Sequence, residues 1–139
     1  METKSKRRLE LDRQIGVRKE SILDAAILEF TDNGIDNSRI ADIAKRAGVG
    51  AVTVYRYFEN KPQLVIECAT KLWKSEIKIF SSQLNPPNFS ALTGFEKVEH
   101  ILYILGSLHE ICPVLLRLLE QFVNYIVKER IPKEQLLQY

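Results

Sequence analysis

The chain has 139 residues, 45% of them hydrophobic, with a formal net charge of +2. That is enough apolar material for one or two small globular units with a real core. No apolar run approaches 18 residues and the N-terminus lacks an apolar core segment, so neither a membrane-spanning helix nor a secretory signal peptide is expected. The charge is unevenly spread: residues 1–61 hold 12 basic and 10 acidic residues, residues 62–139 hold 8 of each, and residues 1–19 alone hold 7 basic and 3 acidic. The positive excess therefore lies in an N-terminal arm running to about Asp12, whose end is expected already to be helical, with a solvated tail as the competing reading. There Lys4, Lys6, Arg7 and Arg8 are placed for phosphates or a minor groove.

A first helix is predicted from about Gln14 to Asp32. Ile22, Ala25, Ala26, Glu29 and Phe30 fix its phase, with Leu28 at the edge of the stripe, and Asn33-Gly34 ends it. Ser38 is expected to cap a second helix, in which Ile40, Ile43, Ala44 and Ala47 form one apolar stripe. Gly48 sits where a left-handed turn residue closes a helix. Val49 plugs the space between helices, and Gly50 opens a third helix. Val54 and Phe58 fall on one face of it, four residues apart, and should pack inward. Ala51, Val52, Thr53, Arg56 and Tyr57 are then left largely outward, with Tyr55 at the border. A helix, a glycine turn and a second helix presented outward make up a helix-turn-helix.

The outward residues suit double-stranded DNA. Arg56 can donate to a base edge or a phosphate, Thr53, Tyr55 and Tyr57 can donate hydroxyls to phosphate oxygens, and Ala51 and Val52 can touch thymine methyls. Asn60 and Lys61 end the helix and add a positive charge, and Pro62 suits the first turn of the next one.

That fourth helix is predicted from about Pro62 to Ser82, with a stripe of Leu64, Cys68, Leu72, Trp73 and Ile79. Leu84–Ser90, reading LNPPNFS, breaks the pattern. A fifth helix starts near Ser90 or Gly94 and runs to Ile111, with Phe95, Val98, Ile101, Leu102, Leu105 and Leu108 on its apolar face. Pro113 opens a sixth from Val114 to about Glu129, apolar over more than half its circumference and so needing partners on more than one side. Pro132 interrupts again, and Lys133 to Tyr139 start a seventh. With no strand-period segment, the fold class is all-α. Cys68 and Cys112 lie in apolar helical contexts, where buried free thiols rather than a disulfide fit a reducing cytosol and a cytoplasmic protein.

The run from Ile22 to Val65 resembles the DNA-binding region of the TetR (tetracycline-repressor) family. The matching residues are Ile22, Ala25, Ala26, Phe30 and Gly34, then Ser38, Ile43, Ala44, Ala47, Gly48 and Val49. Thr53, Val54, Tyr55, Tyr57, Phe58, Lys61 and Leu64 complete the set, those from Thr53 to Lys61 within a T-[VL]-Y-x-Y-F-x-N-K signature. The resemblance implies that Ser38, Thr53, Tyr55 and Lys61 hold phosphates, while Ala51, Val52, Arg56 and Tyr57 face bases or the groove wall. This chain departs from the family at Gly50, where serine is frequent, at Ala51, where lysine, arginine or glutamine is common, and at Ala41, which replaces a frequent arginine. Long polar base readers are scarce, so specificity leans on methyl contacts and DNA shape.

The same resemblance divides the chain into a basic arm with a helix-turn-helix domain, residues 1–61, and a helical ligand-binding and dimerisation domain, residues 62–139. It implies a homodimeric repressor on an operator, released when a small apolar effector moves the fourth helix. Candidate effector contacts are Trp73, Phe80, Phe95, Tyr103, Phe122 and Tyr125, with His100, His109 and Cys112 as polar contacts; aromatic residues at helical spacing are also ordinary core. Family members are longer, and the regulatory domain is expected to be incomplete. His109 and Cys112, three apart, lack metal-site spacing, and no catalytic motif is present, so neither an enzyme nor a metal or other cofactor is expected. The competing reading is a helical protein-interaction module whose helix-turn-helix is only structural.

Overall fold

The computed structural model describes the backbone of residues 2–138 and the side chains of residues 5–138; the expected contact by Lys4 lies outside the described side chains. Among the described residues the fold is all-α. Helices α1 (Glu2–Asn33), α2 (Ile40–Arg46) and α3 (Ala51–Tyr57) are followed by the long α4 (Lys61–Leu84). A 3-10 turn (Phe89–Ala91), α5 (Gly94–Gly106), α6 (Leu108–Ile111), α7 (Pro113–Lys128) and a short α8 (Lys133–Leu136) complete the order. No helix among the described residues is long and apolar enough to cross a membrane.

The turn chemistry explains most boundaries. Gly34 at φ +80° stops α1 and Gly48 at φ +69° stops α2, both in the left-handed region that favours glycine. The Asn60 side chain accepts a hydrogen bond from the Gln63 backbone N–H at 2.9 Å, capping α4 with Pro62 in its first turn.

Three expectations need correction. Helix α1 begins at Glu2 rather than near Gln14, so the basic arm is itself helical. Ser38 caps nothing: the N-cap of α2 is Arg39, while the buried Ser38 hydroxyl donates to the Gly34 carbonyl at 2.6 Å. The fifth helix starts at Gly94, the later of the two expected starts, behind a capping box of Thr93 with Glu96, but it breaks at Gly106–Ser107 before α6 instead of running to Ile111. Glycine is a weak helix former, and the Ser107 N–H turns back to the Tyr103 and Ile104 carbonyls.

One hydrophobic cluster organises the molecule. It joins Ile22, Ala26 and Phe30 of α1, Ile43 of α2 and Val54 of α3 to Leu64, Val65 and Cys68 of α4. Leu115, Leu118, Phe122 and Tyr125 of α7 belong to the same cluster. The sixth predicted helix, α7, buries that face only; Leu116, Leu119, Val123 and Val127 stay exposed. The α4 stripe is buried as far as Leu72, beyond which Trp73 and Ile79 face outward.

Because α7 shares this core with the first three helices, they should unfold together. Leu118→Ala is expected to lower stability by roughly 2–5 kcal/mol. Trp73 fluorescence and far-ultraviolet circular dichroism should report one coincident transition in denaturant; two separated transitions would contradict a shared core.

Burial also sets a pH dependence. It pushes the Cys68 thiol far above its ordinary value of 9.0, raises Cys112 as well, and pushes Tyr125 up to about 12. Each group is more easily ionised in the unfolded chain than in the fold. The stability tied to these neutral forms is therefore full below about pH 9 and is lost as pH rises beyond it. Melting temperatures measured between about pH 7 and pH 11 should be level at first and then fall; a rise across the alkaline range would be inconsistent with these buried groups.

Candidate nucleic-acid interface

The glycine turn delivers α3 to the surface with a defined rotation. Val54 is fully buried and Phe58 nearly so, and they anchor one side of the helix. Successive residues advance by about 100°, so the opposite side is set by that anchor. Val52 (76% exposed) and Tyr55 (54% exposed) protrude, with exposed Arg56 beside them. Thr53 is half-buried.

Three residues expected to face outward, Ala51, Thr53 and Tyr57, do so only in part. Ala51 and Tyr57, each three residues from Val54, are half-buried and pack against the core cluster. Tyr57 is thus the border residue and Tyr55 the outward one, the reverse of the expectation. The spacing of three places a side chain next to the anchor rather than opposite it.

Ser38 needs the firmest revision. Only 1% of its surface is exposed, and its hydroxyl is directed at backbone carbonyls of Gly34 and Glu29. It braces the turn between α1 and α2 from inside, away from any surface that could meet a phosphate.

Lys61 stands at the first turn of α4. Its Nζ lies 3.5 Å from the Asp36 carbonyl oxygen and 5.7 Å from the centre of the Tyr125 ring. Partial burial pulls its ammonium below the usual lysine range, opposed by Asp36 and Glu129. Lys61 is therefore tucked between the α1–α2 turn and α7.

The same turn is held from α7 by two further contacts. The Gln121 Oε1 accepts a hydrogen bond from the Ile35 backbone N–H at 3.0 Å, and Lys128 pairs with Asp36 at 3.0 Å. Gly34 allows this approach, since a Cβ there would sit 3.3 Å from the Gln121 oxygen.

A second clamp fixes α2 to α1. Arg46 reaches the buried Glu29 carboxylate at 3.0 Å and Asp32 at 2.8 Å, and Asn33 donates to Glu29 at 2.7 Å. Sequence reasoning missed Arg46. The available signal was Glu29 on the buried face of α1, because a carboxylate there requires a cationic or hydrogen-bonding partner. Gln121 and Lys128 carried no such signal; their partners lie 86 and 92 residues away along the chain.

The residues considered for an effector do not converge. Trp73 and Phe122 meet in an apolar groove of about 350 Å³ between α4 and α7, which Leu115, Leu119, Ile126 and Leu136 also line. Phe80 is half-buried against the core, and Tyr125 faces the α1–α2 turn. His100 lies with Nε2 2.7 Å from the Gln83 carbonyl, against Phe89. Phe95 and Tyr103 are exposed on α5, and His109 is exposed beside Glu110. Cys112 is buried with its Sγ 3.8 Å from the Glu76 carbonyl.

Residues 22–68 match the family model for bacterial regulatory proteins, tetR family. The chain is 38% identical over 61 residues to the HTH-type transcriptional regulator AqdR of Rhodococcus erythropolis, covering 44% of this chain and 30% of that protein. It is 32% identical over 81 residues to the fatty acid metabolism regulator protein of Bacillus subtilis strain 168, covering 58% of this chain and 40% of that protein. The chain thus spans less than half the length of these curated relatives. The fold resembles a TetR family transcription regulator from Marinobacter aquaeolei VT8 with a TM-score of 0.63 at 23% identity, over 81% of this chain and 57% of that one. The helix-turn-helix geometry and the family match fall on the same stretch: residues 22–68 resemble the DNA-binding region of bacterial regulatory proteins of the tetR family.

Proposed function

We propose that the chain is the DNA-reading and relay portion of a cytoplasmic transcriptional repressor. Residues 1–61 read the operator, and residues 62–139 bind the effector and a second copy. The observation that carries this reading is the outward face of α3, where Val52, Tyr55 and Arg56 protrude from a helix locked by Val54 and Phe58. In a major groove, Arg56 donates to a base edge or phosphate and Val52 meets thymine methyls. Thr53 and Tyr55 grip phosphates, with Ala51 and Tyr57 lining the shoulder of the helix. Lys61 adds a charge from the start of α4; Ser38 supports the turn without touching DNA. Relatives that are transcriptional regulators support this reading over an enzyme.

The relay runs through α4 and α7. Helix α4 begins at the reading head and lines the Trp73–Phe122 groove further along, so an apolar effector there bears on both ends of one rod. Helix α7 forms the other groove wall and holds the α1–α2 turn through Gln121 and Lys128. The exposed apolar residues of α5 and α7 supply surface for homodimerisation.

The direct test separates base reading from phosphate grip. Against a duplex recovered by selection, Arg56→Gln should cost roughly 1–3 kcal/mol and relax preference at one base position. Tyr55→Phe should weaken binding about equally on all sequences. Full-strength binding by a chain carrying both substitutions, measured by fluorescence anisotropy, would remove α3 as the reading element.

A further inference from the structure

Helix α1 extends well beyond the part that enters the core. Its buried face begins at Ile22, yet the helix continues back to Glu2. The intervening segment projects rather than folding onto the body, with Arg7, Arg8, Leu11, Gln14, Ile15 and Arg18 all exposed.

The direction of this projection is defined by α3. Leu11, Gln14, Ile15 and Arg18 line a cleft of about 490 Å³ whose other wall is Arg56 and Tyr57. One stripe of α1 therefore faces the recognition helix, with Leu11, Ile15 and Arg18 at spacings of four and three. Continued one turn towards the N-terminus, that stripe reaches Arg7, with Arg8 at its edge. It holds no acidic residue; Glu10 and Asp12 lie on the flanks, and Glu10 is occupied by Arg13 at 3.1 Å and by the Gln14 side-chain amide at 3.2 Å. From Arg18 to Arg7 the helix spans about 16 Å, at 1.5 Å per residue.

We infer that the N-terminal half of α1 is a rigid helical arm that lies along the phosphate backbone beside the groove occupied by α3. Arg7, Arg8 and Arg18 are its phosphate contacts. This inference rests on the proposed DNA-reading role and enlarges its footprint. Two features select DNA as the occupant. The basic stripe is continuous with the Arg56–Tyr57 end of the recognition helix, and its charge is of one sign where a phosphate chain would run. Helicity also matters. A flexible tail would spend conformational entropy on binding, whereas a formed helix presents its arginines already spaced.

The test uses the full chain and a duplex of about 40 base pairs containing a selected site. In the variant Arg7→Gln/Arg8→Gln/Arg18→Gln, the slope of log affinity against log salt should fall by about 2 to 3. Hydroxyl-radical protection should retreat from the sugars flanking the α3 half-site. Gly16→Pro keeps every charge but breaks the arm's helix, and it should lose the same flanking protection. Gly16→Ala meets nothing within 4 Å and should keep it. Circular dichroism with thermal melting confirms that each variant retains its folded body. A triple variant with wild-type slope and footprint, while Arg56→Gln still weakens binding, overturns the arm and leaves the α3 reading intact. Flanking protection that survives Gly16→Pro overturns the rigid-helix form of the inference. A wild-type chain that binds no duplex overturns both.

Discussion

The burial of Leu64, Val65 and Cys68 among the side chains of α1, α2 and α3 is the constraint on which the rest of the molecule depends. A helix-turn-helix of short helices has little core of its own: α2 and α3 are seven residues each. Isolated helices of that length are unstable in water and hold their shape only by packing an apolar face. The first turns of α4 complete that face. The rod that leaves the helix-turn-helix is thus part of its core, and a shift of the rod is felt at α3 through close-packed side chains.

Helix α7 adds a second path of a different character. Its buried side enters the same cluster, while Gln121, Tyr125 and Lys128 meet the polar turn between α1 and α2. That turn carries Ile35, whose side chain is buried and whose N–H is bonded to Gln121. Leaving a backbone donor unpaired costs about 1–3 kcal/mol, so α7 and the turn tend to move as a unit. Lys61 lies between them, held by the Asp36 carbonyl and the Tyr125 ring. Whatever displaces α7 therefore also changes what Lys61 faces.

How much was legible in the sequence follows from which interactions are local. The glycine stops at Gly34 and Gly48, the inward pair Val54 and Phe58, and the break across Leu84–Ser90 are written in short-range pattern and turn chemistry, and the structure agrees with them. The rank order of Tyr55 and Tyr57 was missed because both neighbour the buried anchor in sequence, and only the rotation of the packed helix separates them. Ser38 was misjudged because a serine before a helix suits a cap, whereas here the carbonyls of a tight turn compete successfully for its hydroxyl. The helical arm was obscured by its charge, which reads equally well as a solvated tail. Contacts across nearly the whole chain, such as Lys128 with Asp36, leave no trace in local pattern.

The central claim is that the outward face of α3 reads DNA. Selection of bound duplexes from a random pool by the purified chain, followed by sequencing, tests it most directly. The account predicts recovery of a common half-site in the wild-type pool and its loss, or a changed base at one position, in a parallel selection with Arg56→Gln. Pools that stay random for the wild-type chain, or an identical half-site recovered by a chain with Val52, Tyr55 and Arg56 all replaced by alanine, would contradict it.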